Sequence, residues 1–185
     1  MHVLGIAGSL RTGSWNRKVL LACIGLVPEG LVIEPHPLNG IPLYNGDVEE
    51  AGMPPGVAAL KERIVAADGI LFVTPEYNHG TPGVLKNAID WGTRQGNSWG
   101  DKPVAICGAT PGRGGTVRSQ EQLRQTCHTI GMLVMPGPEV FISQVDKLFD
   151  AGGGLTDERT NESLRKMLMA LKVWVERLQH ASPSF

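Results

Sequence analysis

What this chain lacks narrows it before any motif is read. Its three cysteines, Cys23, Cys107 and Cys127, stand far apart and form no C-x-x-C pair. That spacing excludes a disulfide framework and predicts small buried thiols in a reducing compartment. His2, His36, His79, His128 and His180 show no metal-ligand spacing, so no metal site is expected. No apolar run approaches the ~20 residues that span a bilayer, and the N-terminus has no basic segment followed by an apolar one. A soluble, cytoplasmic protein with no membrane partner is expected. An excess of one charge is missing too. Lys and Arg total 17 against 18 Asp and Glu, so no basic stripe can neutralise a nucleic-acid backbone, and nucleic acid is not expected as a partner.

What is present is length, glycine and alternation. The 185 residues suit one domain, 1–185, long enough to bury a core. Glycine is plentiful but dispersed, mostly where strands end. Strands are expected at Val3–Ala7, Leu31–Glu34, Ile70–Thr74, Pro103–Cys107 and Leu133–Met135. The last is interrupted by Pro136-Gly137-Pro138 and resumes at Val140-Phe141-Ile142. Helices are expected after Ser14, from Pro54-Pro55, after Pro82-Gly83, over Thr116–Ile130 and after Thr156-Asp157, where Leu164, Leu168, Leu171, Val175 and Leu178 recur at helical spacing. The tail after His180 is expected to fray. Between the second strand and second helix lies a long loop, Leu38–Asp47, whose Ile41, Leu43 and Tyr44 predict packing, either as a lid on the core or as a subunit contact.

This alternation predicts an α/β fold: a three-layer sandwich around a five-stranded parallel sheet. In a chain this short the flavodoxin-like strand order 2-1-3-4-5 is favoured, with its ligand at the carboxyl ends of the strands, at the switch point between strands one and three. The loops after strands one, three and four are the unusual ones, and all three fall at that edge.

The first loop, Gly8-Ser9-Leu10-Arg11-Thr12-Gly13-Ser14-Trp15-Asn16, joins an apolar strand to a helix. That arrangement aims backbone N–H groups and a helix N-terminus at a phosphate. Gly5, Gly8 and Gly13 do not fit the G-x-G-x-x-G of a dinucleotide site, although Glu34 lies near the place of a ribose-binding acid. Gly8 and Gly13 have the glycine spacing of a P-loop, but its lysine is missing. Strand three ends in Thr74-Pro75 with no acid to hold Mg²⁺. A site with neither suits a single terminal phosphate. Ser9, Ser14 and Asn16 can donate to its oxygens, and Arg11 can neutralise it. FMN joins one phosphate to a large apolar head. Pro75-Glu76-Tyr77-Asn78 can present backbone N–H groups to the edge of its ring. Thr110-Pro111-Gly112-Arg113-Gly114-Gly115 has so little bulk that its backbone can approach the ring closely.

Gly8-Ser9-Leu10-Arg11-x-Gly13-Ser14-x-Asn16, Ile41-Pro42-Leu43-Tyr44-Asn45, Pro75-Glu76-Tyr77-Asn78 with Pro82-Gly83, and Leu85-Lys86-Asn87-Ala88-Ile89-Asp90-Trp91 resemble the NADPH-dependent FMN reductase family of quinone, chromate and azo-dye reductases. The resemblance runs from residue 1 to about residue 145. It implies a flavodoxin-like fold and bound FMN. The phosphate would be held at Ser9, Arg11, Ser14 and Asn16 with Trp15 beside them. The ring would be held at Pro75, Glu76, Tyr77 and Asn78, with Thr110, Pro111 and Gly112 closing the site. It also implies a homodimer or homotetramer. The activity expected is ping-pong hydride transfer from NADH or NADPH through flavin N5 to a small-molecule acceptor, with no side chain as nucleophile. Tyr77, Asn78 and Arg113 would line the substrate face, and Arg113 is a candidate for the phosphate of NADPH. His79-Gly80-Thr81 and Arg113 depart from the family pattern, which leaves nucleotide and acceptor preference open. A flavodoxin-type electron carrier is the alternative. It is disfavoured because the ring loops hold few aromatics and the chain has no acidic excess. A regulatory protein that kept the fold and lost turnover is a further one.

Overall fold

Continuous apolar runs form the middle of a parallel sheet in the computed structural model of this chain, which describes residues 1–180. The strands are β1 (His2–Ala7), β2 (Val32–His36), β3 (Gly69–Val73), β4 (Pro103–Ala109), β5 (Leu133–Val134) and β6 (Val140–Ile142). The order is β2-β1-β3-β4-β5, with β6 also paired to β4. Every pairing is parallel. The interrupted fifth strand is real. Pro103 and Val104 pair with β5, Cys107 to Ala109 pair with β6, and the Pro136-Gly137-Pro138 segment lies between. Strand β2 runs further than expected, through Pro35 to His36. It is an edge strand, where a residue without an N–H is tolerated. The expected fraying after His180 lies outside the described residues.

Helices cover both faces. They are α1 (Trp15–Gly25), α2 (Gly46–Glu50), α3 (Pro55–Ala66), α4 (Gly83–Gly92), α5 (Val117–Thr129) and α6 (Glu158–His180). Alternate residues of each central strand point to opposite faces. Val3, Leu71, Val73 and Ala105 meet Val19 and Cys23 of α1 and Leu164, Leu168 and Leu171 of α6. Leu4, Ile70, Phe72 and Ile106 meet Leu60 of α3, Leu85 and Ile89 of α4, and Leu123 of α5. The last helix begins where expected, with the Asp157 carboxylate accepting from the Thr160 N–H at 2.8 Å. Among the described residues no helix is long and apolar enough to cross a membrane.

The Leu38–Asp47 loop is more ordered than its composition predicts. Asn45 caps the short α2 by accepting from the Asp47 N–H at 2.9 Å. The Pro42 carbonyl accepts from Asn87 and from the Trp91 ring, each at 2.8 Å. Tyr44 stands edge-on to Trp91. Leu43 is the most exposed of its apolar side chains, at 81%. Trp91 and Trp99 are buried packing residues, and the Trp99 ring lies where a side chain at Gly92 would have to go.

One bond pair ties the two faces of the carboxyl edge together. The Asn16 side-chain carbonyl accepts from the Ala109 N–H at 2.9 Å, and its amide donates to the Ala109 carbonyl at 2.9 Å. The start of α1 is thereby bound to the end of β4. Asn16→Ala leaves both buried backbone groups unpaired and is expected to cost about 2–4 kcal/mol in urea unfolding of the flavin-free protein. A cost within error of zero would contradict this.

The three cysteines are free and fully buried. Burial pushes the Cys127 thiol up to about 12. A hydrogen bond with Cys23, then burial, raises the Cys107 thiol well above its ordinary value. Cys127 and Cys107 therefore stay protonated and unreactive at pH 8. A colorimetric disulfide reagent should find no fast-reacting thiol in the native protein at pH 8 and all three after denaturation.

Candidate functional site

The carboxyl ends of β1, β3 and β4 carry three loops side by side. The Gly8 N–H reaches the Val73 carbonyl at 2.9 Å, and the Thr74 N–H reaches Cys107 at 2.9 Å, so each loop continues the ladder of its neighbour. A Cβ on Gly8 would sit 3.3 Å from the Pro75 ring and 3.2 Å from Leu85. The switch point between β1 and β3 is therefore tightly closed at its base.

The first loop is a short closed turn. The Ser14 N–H bonds the Arg11 carbonyl at 3.1 Å, and the Ser9 hydroxyl accepts from the Arg11 N–H at 3.3 Å. Ser14 caps α1, accepting from the Arg17 N–H at 3.3 Å. Ser9 and Ser14 are buried, while Arg11, Thr12 and Gly13 are exposed. The Trp15 ring packs on Phe149 with Lys18 above it. What Trp15 offers the loop is its backbone N–H in the first helical turn. Asn16 has its amide engaged by Ala109, so it positions the loop and presents its own N–H, rather than reaching freely for a ligand. The loop presents helix-start N–H groups, hydroxyls and one exposed guanidinium, the donor set of an anion site without a metal. Among the described residues no group of three His, Cys, Asp or Glu is placed to hold a metal ion.

The second loop is a tight hairpin. Tyr77 and Gly80 exchange both backbone bonds, at 3.1 and 3.0 Å. Asn78 and His79 both have positive φ, 51° and 63°. Two such residues in a row make the turn that matches strand twist, and Asn tolerates it best. Because Gly80 takes the Tyr77 N–H, the amides left for a ligand are those of Glu76, Asn78 and His79. Tyr77, Asn78 and His79 are exposed.

The third loop follows β4. Its Thr110 hydroxyl accepts from the Gly112 N–H at 3.1 Å. The segment after β6 stitches it down, with Gln144 N–H to Gly112 at 3.0 Å and Val145 N–H to Thr110 at 3.2 Å. Gly108, one residue before the strand ends, admits no side chain because the Thr74 carbonyl and Thr116 hydroxyl occupy the space. Pro111, Gly112 and Arg113 are exposed. Small residues here leave backbone, not side chain, facing the site.

Helix α5 locks the second loop to the third, and this role was missed in the sequence. The Glu76 carboxylate accepts from the N–H groups of Arg118 and Ser119, at 3.0 and 3.2 Å, capping α5 from across the site. The Ser119 hydroxyl donates to the Pro75 carbonyl at 2.8 Å. The Thr81 N–H donates to Gln122 at 2.6 Å. The signal was available: buried Thr116 and Gln120 continue the apolar stripe of Leu123 and Cys127 at helical spacing, and polar residues on a core face call for a partner. Gln120 bonds Thr116 and the Val140 carbonyl, each at 3.0 Å.

Anion donors at one end, unpaired backbone amides on the next loop, and a low-bulk loop beyond it fit one phosphate joined to a flat ring. Comparisons with known proteins agree. The model of the NADPH-dependent FMN reductase family matches residues 1–147. The chain is 50% identical over 180 residues to a protein of Pseudomonas aeruginosa named NAD(P)H-dependent FMN reductase, covering 97% of each. It is 41% identical to an NADPH:quinone oxidoreductase of Arabidopsis thaliana, covering 97% of this chain and 94% of that one. Among solved structures, the NAD(P)H:(acceptor) oxidoreductase FerB of Paracoccus denitrificans superposes with a TM-score of 0.86 at 38% identity, covering 95% of this chain and 97% of that one. The chain belongs to the NADPH-dependent FMN reductase family.

Proposed function

We propose that this enzyme transfers two electrons from NADH or NADPH to quinones and other small acceptors, including chromate, azo compounds and free flavin, with both reactants using one open face in turn. The observation that carries this is the side-by-side placement of the α1 anion loop with two loops whose tips, Tyr77–Asn78 and Pro111–Arg113, are exposed. Bound FMN supplies the hydride-transfer chemistry. Ser9, Arg11 and Ser14, with the N–H groups of Trp15 and Asn16, hold its phosphate in the field of the α1 N-terminus. The amides of Glu76 and Asn78, with Pro75 and Tyr77 beside them, hold the polar edge of its ring. Thr110, Pro111 and Gly112 back the ring with little bulk. Tyr77, Asn78 and Arg113 line the open face, where the Arg113 guanidinium draws in anionic groups of the nucleotide. No side chain serves as nucleophile.

The reading includes a cytoplasmic homodimer or homotetramer. Exposed Leu43, on a loop otherwise pinned to α4, supports a contact with a second copy there. The quinone named for the Arabidopsis relative supports quinones as acceptors.

Two outcomes are expected. Purified protein loaded with FMN should oxidise NAD(P)H with a quinone, giving parallel double-reciprocal lines. Intersecting lines would contradict sequential use of one face, and no direct flavin reduction in a stopped-flow trace would favour an electron carrier. Arg11→Gln should weaken FMN binding about ten- to a hundredfold, the loss of a charge-assisted contact, with little change in folding. Unchanged affinity in a flavin-fluorescence titration would remove Arg11 from the phosphate site.

A further inference from the structure

A second concave site lies on the other side of the phosphate loop, between α1 and the end of β2. It is a cavity of ≈ 220 Å³. That is below the ~300–1,000 Å³ of a pocket for a whole drug-sized ligand, so it suits one end of a larger molecule. Leu20, Pro37 and Leu38 form an apolar wall, and Arg17, His36 and Asn39 add polar groups. Among the described residues, none of these three polar side chains has a hydrogen-bond or ion-pair partner. Burial, and then the nearby Arg63, hold the His36 imidazole below its ordinary pKa, against a smaller pull from Glu34. At neutral pH the ring is uncharged and offers one donor and one acceptor, which suits a sugar hydroxyl. An unpaired guanidinium, a neutral hydrogen-bonding ring and an apolar wall together match a phosphorylated nucleoside.

Its position says which one. Ser9 belongs to both the cavity wall and the phosphate loop, so the two sites adjoin. Neighbouring strands lie ~4.8 Å apart, so in the order β2-β1-β3-β4 the end of β2 is about 10 Å from β3 and about 14 Å from β4. A pyrophosphate-linked dinucleotide spans that distance. One molecule can lay its nicotinamide at the loops after β3 and β4 and its adenosine beside β2.

We propose that this cavity receives the 2′-phosphoadenosine end of NADPH, with Arg17 pairing the 2′-phosphate, and that it sets a preference for NADPH over NADH. The proposal rests on the reductase reading above. Arg17, on α1, stands apart from Arg113, which lies in the loop after β4.

The test uses the FMN-loaded enzyme and Arg17→Gln, with 1,4-benzoquinone as acceptor and NADPH and NADH compared. The KM for NADPH should rise about ten- to a hundredfold, the loss of one charge-assisted contact. The KM for NADH, the kcat with either nucleotide and the FMN content should change less than about twofold, since none of these involves the 2′-phosphate. Adenosine 2′,5′-bisphosphate should compete with NADPH and bind the native enzyme by calorimetry, and Arg17→Gln should lose that binding while 5′-AMP is unaffected. Equal effects on both nucleotides, an unchanged KM for NADPH, or bisphosphate inhibition that is not competitive with NADPH would overturn the proposal. Loss of FMN would instead place Arg17 on the flavin phosphate and also overturn it. If the native holoenzyme oxidised neither nucleotide, the reductase reading would fall, and bisphosphate calorimetry on native and variant protein would still decide the cavity.

Discussion

The Asn16 amide, bonded both ways to the Ala109 backbone, is the contact the rest of the site depends on. It joins two elements that are 93 residues apart in the chain. On one side is the helix whose first turn carries the anion-donor loop. On the other is the strand that leads into the low-bulk 110–115 loop. A parallel sheet alone brings these ends near each other. It does not set the height or tilt of α1 over the sheet edge. A bidentate pair buried in low dielectric does, because moving either partner leaves two backbone groups without a bond.

The second constraint is supplied by α5. The hairpin at Tyr77–Gly80 holds two non-glycine residues at positive φ, a conformation that persists only where its surroundings over-determine it. Here they do. Glu76, Pro75 and Thr81 are each bonded to the first two turns of α5. The same helix begins directly from the third loop. The backbones of the second and third loops are thus carried by one rigid element, as the proposed hold on a flat cofactor requires. Glu76 contributes through its carboxylate as well as its backbone, since that carboxylate completes the N-terminus of α5.

Much of this was legible in the sequence. The five apolar strand segments, Ile70–Thr74 among them, alternated with helical patterns, and the strand order followed from that alternation. The broken fifth strand was readable from Pro136-Gly137-Pro138. The extension of β2 through Pro35 was not, because a proline reads as a stop until the strand is known to be an edge. Residue type marked Ser9, Arg11 and Ser14 as an anion loop. It could not show that Asn16 turns its side chain to Ala109, nor that Trp15 turns its ring to Phe149, since both depend on partners distant in sequence. Ser119 and Gln122 escaped notice for the same reason. Their partners, Pro75 and Thr81, lie some forty residues earlier. The α1–β2 cavity has no motif at all. It is assembled from one side of α1, the end of β2 and the loop that follows, and only folding brings Arg17 together with His36 and Asn39.

The central claim is that the cofactor is anchored by its phosphate at the start of α1, with the ring held mainly by backbone. Flavin fluorescence titration of the flavin-free protein with FMN and with riboflavin tests it most directly. Riboflavin keeps the ring and lacks the phosphate. The account predicts that riboflavin binds at least about a hundredfold more weakly, because several charge-assisted bonds at Ser9, Arg11 and Ser14 are lost together. Equal affinity for the two would contradict it.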